Sequence, residues 1–177
     1  SQSARQNIFD INNSWGEKAE EILMDKINKK GKYRARRTTL GYKFPDLTLF
    51  DKNMKKVCFI EVKMASSTFM KIQEKLPNAN ITPSELVVLN NSAINSYKKV
   101  LDQYKLPIYI VFFVANRPCI TKDQDYKLYY QNFEVIYDIY QKQKENRTYR
   151  RNTVKGDHDD QGKIQNPLLK VHFSINE

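Results

Sequence analysis

Cysteine is nearly missing from this chain. Cys58 lies inside an apolar run and Cys119 follows Pro118 after another, so neither has metal-ligand spacing and both read as buried thiols. Disulfide chemistry and a zinc module are thereby excluded. Long hydrophobic runs are missing too. No window approaches the about 18 apolar residues of a membrane span, and "SQSARQNIFDINNSWGEKAE" has no signal-peptide core. The chain therefore reads as cytoplasmic, with no membrane partner. Glycine and proline are sparse, 5 and 6 among 177 residues, and no repeat or low-complexity tract occurs. With 40% hydrophobic and 12% aromatic residues, the composition is that of a globular protein rather than a disordered one.

What the chain does have is positive charge. Thirty Lys and Arg against 20 Asp and Glu leave a net +10, the electrostatic footprint of a protein with a polyanionic partner. The length suits one domain spanning 1–177. A domain of this size buries roughly 70% of the surface its unfolded chain exposes, enough for one hydrophobic core.

Local patterns predict the elements. Ser14 is placed to cap a helix over 15–29, with Ile22, Leu23 and Ile27 near helical spacing and Gly31 as a stop signal. "KYRARRTTLGYKF" reads as a strand with a turn at Gly41. "FPDLTLF" and "KVCFIEVKM", joined by "DKNMK", read as a hairpin. Residues 65–83 form a polar excursion from the core. Thr82-Pro83-Ser84-Glu85 has the form of a capping box, although "LVVLNN" at 86–91 also suits a short strand. Ala93, Tyr97, Val100, Leu101 and Tyr104 continue at helical spacing to Pro107. "IYIVFFVA", 108–115, reads as a central strand covered on both faces. A helix over 126–140, a polar arm over 141–166 and a closing strand "LLKVHFSI" complete the chain. Trp15 and the tyrosines at 97, 104, 137 and 140 read as core or core-edge residues.

The chemistry lies in the hairpin. Strand side chains alternate faces, so Glu61 and Lys63 share one, and Asp46 stands at the start of the neighbouring strand. Two carboxylates and an ammonium at one sheet edge suit a hard divalent cation. Mg²⁺ is commonly held by one or two protein carboxylates and keeps several waters. Bound there, it polarises a phosphate and lowers the pKa of an attacking water. No nucleophilic Ser, Cys or Tyr is expected beside the acids, so attack by water in one step, without a covalent intermediate, is the expected mechanism.

Pro45-Asp46, fourteen intervening residues and then Glu61-Val62-Lys63 resemble the motif of the PD-(D/E)XK nucleases. The order helix, strand, Asp-bearing strand, Glu-X-Lys strand, helix, strand, over about 14–115, resembles the core of that superfamily. The resemblance implies an α/β (α+β) fold with an αβββαβ core, a central mixed sheet flanked by helices. It also implies catalytic roles for Asp46, Glu61 and Lys63, and a metal held by Asp46, Glu61 and the Val62 carbonyl. Mg²⁺ is the implied cofactor, with Mn²⁺ able to substitute, and no small-molecule cofactor is expected. "GEKAEEIL" is similar to the first helix of archaeal Holliday-junction resolvases. That similarity makes Glu20 the fourth member of the catalytic set, ahead of Glu17 and Glu21.

Other residues point to double-stranded DNA. Lys32, Arg34, Arg36 and Arg37 precede the acids, placed to neutralise phosphates. Asn78 and Asn80 lie in the excursion, and amide side chains can pair bidentately with adenine. Arg147, Tyr149, Arg150 and Arg151 mix basic and aromatic groups as nucleic-acid arms do. His158-Asp159-Asp160 offers metal-type side chains, but adjacent residues in a polar loop converge poorly. Within the superfamily the chain looks most like a type II restriction endonuclease, a homodimer cutting a short palindrome. "LYYQNFEVIY" and "IQNPLLKVHFS" loosely resemble the C-terminal part of such an enzyme. The alternatives are a structure-specific nuclease similar to the resolvases, a catalytically silent DNA-binding module, and an RNA-binding protein. The last leaves the carboxylates unexplained and lacks a recognisable RNA-binding aromatic motif.

Overall fold

The computed structural model describes residues 2–41, 44–150 and 169–177, the side chains of 2–14 excepted. Helix α1 (Gln2–Lys30) leads into β1 (Arg34–Arg37), β2 (Leu47–Phe50) and β3 (Lys56–Ala65). Short helix α2 (Ile72–Lys75) and a 3₁₀ turn (Pro77–Ala79) precede β4 (Leu86–Asn90), α3 (Asn91–Tyr104) and β5 (Ile108–Ala115). Then follow α4 (Pro118–Thr121), β6 (Tyr126–Asn132), α5 (Phe133–Arg147), β7 (Thr148–Arg150) and β8 (Leu169–Ser174). The expected order of helix, three strands, helix and strand is present, with the excursion and β4 inserted after β3.

The main sheet runs β1-β2-β3-β5-β6. Only the β3–β5 pair is parallel; the other three are antiparallel. The β2–β3 hairpin closes as its sequence demands. The Asp51 carboxylate accepts hydrogen bonds from the Asn53 and Lys55 N–H groups, both at 2.9 Å, and Met54 takes a φ of 60°. Such an Asx turn substitutes a side chain for a backbone turn bond. As expected, β5 is flanked on both sides and buried on both faces, Ile108, Ile110 and Val114 completely so.

One face of the sheet carries Cys58, Ile60, Val62 and Phe113 against Ala19 and Leu23 of α1. The other carries Phe59, Ile108, Ile110 and Phe112 against Ile94, Tyr97 and Val100 of α3 and Phe133, Ile136 and Tyr140 of α5. The second sheet, β4-β8-β7, adds Val87, Leu89, Val171 and Phe173 to that same cluster.

Several expectations are corrected. Ser14 starts nothing, because α1 runs through it from Gln2. Thr82 caps no helix: residues 83–85 form turns, and β4 follows in antiparallel pairing with β8. The excursion is not merely polar, since Ile72, Leu76, Ala79 and Ile81 bury against Leu86. Residues 126–132 are a strand on β5, and the helix begins only at Phe133, where the Asn132 side chain accepts from the Glu134 N–H at 2.9 Å. The first part of the polar arm is the end of α5 and β7; residues 151–168, with His158, Asp159, Asp160 and Arg151, lie outside the described residues. Cys119 is exposed, not buried, whereas burial pushes the Cys58 thiol up to about 11. Trp15 is 48% exposed, with the Lys18 ammonium 4.9 Å above its ring.

Candidate metal and nucleic-acid site

Asp46 stands one residue before β2, whose first pair across the hairpin is Leu47 with Ile60. Extending that register by one residue sets Asp46 opposite Glu61, on the same face. The contact that forms is with the next residue: the Asp46 Oδ2 accepts the Val62 N–H at 2.8 Å. In a strand the N–H and C=O of one residue point to the same side, so the Val62 carbonyl turns toward this edge as well, beyond the last ladder pair.

Glu61 is 4% exposed, an uncommon place for a carboxylate. Its neighbours explain how it is tolerated. The Lys63 ammonium, two residues along the same face, makes an ion pair with its Oε1. The buried Tyr97 hydroxyl of α3 faces it from the layer behind. Burial raises the Glu61 carboxyl above its ordinary range and Asp46 adds to the rise, while Lys63 and Tyr97 pull it down. Asp46 is raised by burial and restrained by the Val62 N–H, Lys63 and Arg37.

Glu20 belongs to the same electrostatic group. Burial raises its carboxyl, and so do the charges of Asp46 and Glu61, against the lowering effect of Arg37. Arg37 Nη1 pairs with Glu20, and its Nη2 lies 3.7 Å from Glu21. Strand alternation accounts for this. Ala35 of β1 is buried against α1, where the Asn28 side chain bonds its N–H and carbonyl at 2.8 and 3.3 Å. Arg37, two residues on, therefore turns to the α1 side, and Arg34 and Arg36 turn away. Glu17 and Glu21 are both exposed, and Glu20 is the α1 acid whose ionisation responds to Asp46.

Among the described residues no three His, Cys, Asp or Glu side chains gather closely enough to cage a metal ion. The oxygen set at the edge is smaller: the Asp46 and Glu61 carboxylates and the Val62 carbonyl. All are hard donors, and two carboxylates suffice for Mg²⁺, which retains water in its remaining positions.

No protein-family model matches the chain and no curated protein matches it in sequence. Among solved structures it is similar to Hjc, a Holliday junction resolvase of the archaeal hyperthermophile Archaeoglobus fulgidus. The identity is 12% over 90% of this chain and 85% of that one, with a TM-score of 0.46.

The residues expected to contact DNA separate into three groups. Lys32, Arg34 and Arg36 are exposed; Arg36, opposite Thr48, lies toward the acids and 5.7 Å from the Phe50 ring, whereas Arg34, opposite Phe50, and Lys32 lie toward the hairpin turn. Lys52, Lys55 and Lys56 of the hairpin, not singled out in the sequence, add exposed charge at the end of the same strands. Asn78 and Asn80 are exposed on the excursion, Asn80 at a φ of 53°. That excursion is tied down by buried Arg117, whose guanidinium donates to the Ser67, Ser84 and Leu86 carbonyls at 2.9, 2.9 and 2.6 Å. Arg147 is a correction: it is 3% exposed and forms a two-pronged ion pair with Glu177. It holds β8 against α5 and is closed to phosphate. Tyr149 packs on Phe69, ring centres 5.5 Å apart, while Arg150 is exposed.

Tyr97 was missed as a neighbour of the acids. Its sequence position announces only the buried face of a helix, because the partner strand lies 36 residues earlier. Burial and Glu61 both raise the Tyr97 phenol, so it stays protonated and is a poor nucleophile despite its place.

Proposed function

We propose that this chain is a metal-dependent deoxyribonuclease of the PD-(D/E)XK kind, cutting double-stranded DNA at a specific sequence as type II restriction endonucleases do. The observation that carries this reading is the Asp46–Val62 hydrogen bond. It pins one carboxylate to the backbone between a buried Glu61 and Lys63, with the charge of Glu20 felt from α1.

Asp46, Glu61 and the Val62 carbonyl would hold Mg²⁺, or Mn²⁺ in its place. When bound, the cation supplies charge to a phosphate oxygen and acidity to a water molecule. Lys63, 35% exposed and anchored by Glu61, is placed to hold the attacking water and to offset negative charge developing on phosphorus. Glu20, held by Arg37, completes the acidic edge. Lys32, Arg34 and Arg36 would bind phosphates along the backbone leading away from the scissile bond and set the register of the duplex. Asn78 and Asn80 would read base edges. Tyr97 is buried and protonated, so water rather than a side chain forms the new bond to phosphorus.

The coupling of Glu20 to Asp46 favours a second reading, a structure-specific nuclease of the resolvase kind, whose first helix the segment "GEKAEEIL" resembles. One experiment tests both. A long duplex and a four-way junction are incubated with Mg²⁺, beside EDTA and Asp46→Ala controls. Discrete fragments from the duplex support the first reading, and symmetric cuts in the junction alone support the second. Cleavage that survives in Asp46→Ala overturns the site; no cleavage of either substrate, with salt-sensitive binding intact, leaves a silent DNA-binding module.

A further inference from the structure

The two edges of the main sheet are treated differently. At β1 the outward backbone of Ala35 is occupied by the Asn28 side chain. Three of its four residues are arginines, a charged edge of the kind that prevents further strand pairing. At the opposite edge, β6 (Tyr126–Asn132, "YKLYYQN") pairs, among the described residues, with β5 alone. It is seven residues long, contains no proline and carries a single charge, Lys127. Tyr130 is 73% exposed and Leu128 36%. Both stand on the face of the sheet that α1 covers over β3, but they lie beyond the helix, in line with Val111 and Phe113 of β5.

A long edge strand with a single charge and an exposed apolar pair is a template for another strand. We infer that β6 is the contact between two copies of this chain, paired antiparallel about Tyr129 into one continuous ten-stranded sheet. The sequence of the strand is complementary to itself in this register. Tyr126 falls opposite Asn132, Lys127 opposite Gln131, and Leu128 opposite Tyr130, so no like charges meet. On a chain of net charge +10, this is the edge where two basic molecules approach with little repulsion. An antiparallel pair has its two-fold axis perpendicular to the sheet, so both copies keep the same face outward. Leu128 and Tyr130 of each copy then form one apolar patch across the axis, a self-complementary contact of the two-fold kind. Cross-strand pairs of aromatic and aliphatic residues are stabilising units of a sheet.

The interface makes no use of the acids, so it stands or falls independently of the nuclease reading. Light scattering after gel filtration at micromolar concentration is the test. The expected mass is that of two 20.9 kDa chains. The double variant Leu128→Lys with Tyr130→Lys places ammonium groups opposite each other twice and is expected to elute as a monomer. Leu128→Glu with Tyr130→Lys sets opposite charges at the same two crossings and is expected to stay dimeric. Circular dichroism checks that both variants fold as the parent does. A monomeric parent chain overturns the proposal, as does a Lys/Lys variant that folds and remains dimeric, or a Glu/Lys variant that behaves as the Lys/Lys one.

Discussion

Asp46 and Val62 are joined across the open end of the hairpin by a 2.8 Å hydrogen bond from backbone N–H to carboxylate. The residue that leads into β2 is thereby locked to β3 at the point where ladder pairing stops. The bond orients one acid and restrains its ionisation, while burial works against it.

A stability experiment reads that conflict directly. The folded Asp46 carboxyl sits above its ordinary value of 3.8, so between the two values the native state binds more protons than the unfolded one. Stability then falls as pH rises through that window. Asp46→Asn keeps an oxygen to accept the Val62 N–H and removes the buried charge. Its melting temperature is expected to exceed that of the parent at neutral pH, and the difference to vanish at pH 3. Equal melting temperatures at pH 7 would refute the account. Under the proposed function the same variant loses cleavage and keeps DNA binding.

Lys63 offsets the charge of a carboxylate that is almost fully enclosed. Lys63→Met leaves Glu61 with Tyr97 as its remaining neighbour of favourable sign. Cleavage is expected to drop by at least about a hundredfold, the usual cost of removing one group that stabilises developing charge. Cleavage within threefold of the parent, on a variant with an unchanged circular-dichroism spectrum, would remove Lys63 from the mechanism.

A shift with the opposite consequence lies in the second sheet. The His172 Nδ1 lies 3.0 Å from the Arg147 carbonyl oxygen, which can only accept, so this nitrogen carries the proton of the neutral ring. Burial lowers His172 below its usual 6.5. The native state therefore binds fewer protons than the unfolded chain, and the stability present above pH 6.5 is lost as pH falls toward the folded value. His172→Gln is expected to flatten the melting profile between pH 7 and 5. An unaltered slope in that interval would refute a role for His172 in the pH dependence of stability.

Arg147 and Glu177 are 30 residues apart and meet through two hydrogen bonds. Glu177→Gln leaves a guanidinium charge enclosed without its counterion. Arg147 is enclosed but Glu177 reaches solvent, so the loss lies below the about 3 kcal/mol of a fully buried pair, and urea unfolding is expected to show a loss of about 1–2 kcal/mol. DNA affinity should be unchanged. A variant of unaltered stability with weakened DNA binding would return Arg147 to the nucleic-acid surface.

The hairpin and its acids were legible because charged residues interrupt strands that are otherwise apolar, and because side-chain alternation fixes which of them share a face. The region after β5 was not. Phe133, Ile136, Tyr137 and Tyr140 give a true helical stripe, but nothing in that stripe says that Tyr126–Asn132 before it pairs with β5. Asn132 followed by Glu134 is the local signal that marks the change, a capping residue just ahead of the stripe. Arg147 was misread for a different reason. In a run of polar residues a buried arginine looks like its exposed neighbours, and only the docking of β8, with His172, Phe173 and then Glu177, encloses it. Arg37 shows the same limit on a smaller scale, since its turn toward Glu20 follows from the parity of Ala35, which becomes visible only once α1 is docked.

The parity of β1 yields a last prediction. All three arginines of β1 are exposed, but Arg34 and Arg36 face away from α1, whereas Arg37 is paired with Glu20. Arg34→Ala and Arg36→Ala should each weaken binding to duplex DNA of any sequence. Each should also reduce the slope of log K against log salt by about 0.9, one phosphate contact apiece. Arg37→Ala should leave that slope close to the parent value and act instead on Glu20, whose carboxyl then loses the charge that lowers it. Its expected signature is a fall in cleavage rate larger than the fall in affinity. Binding measured by fluorescence anisotropy over a series of salt concentrations separates the two cases. Equal slopes for all three variants would mean that β1 presents one undivided basic surface, and that the ion pair with Glu20 yields to phosphate when DNA is bound.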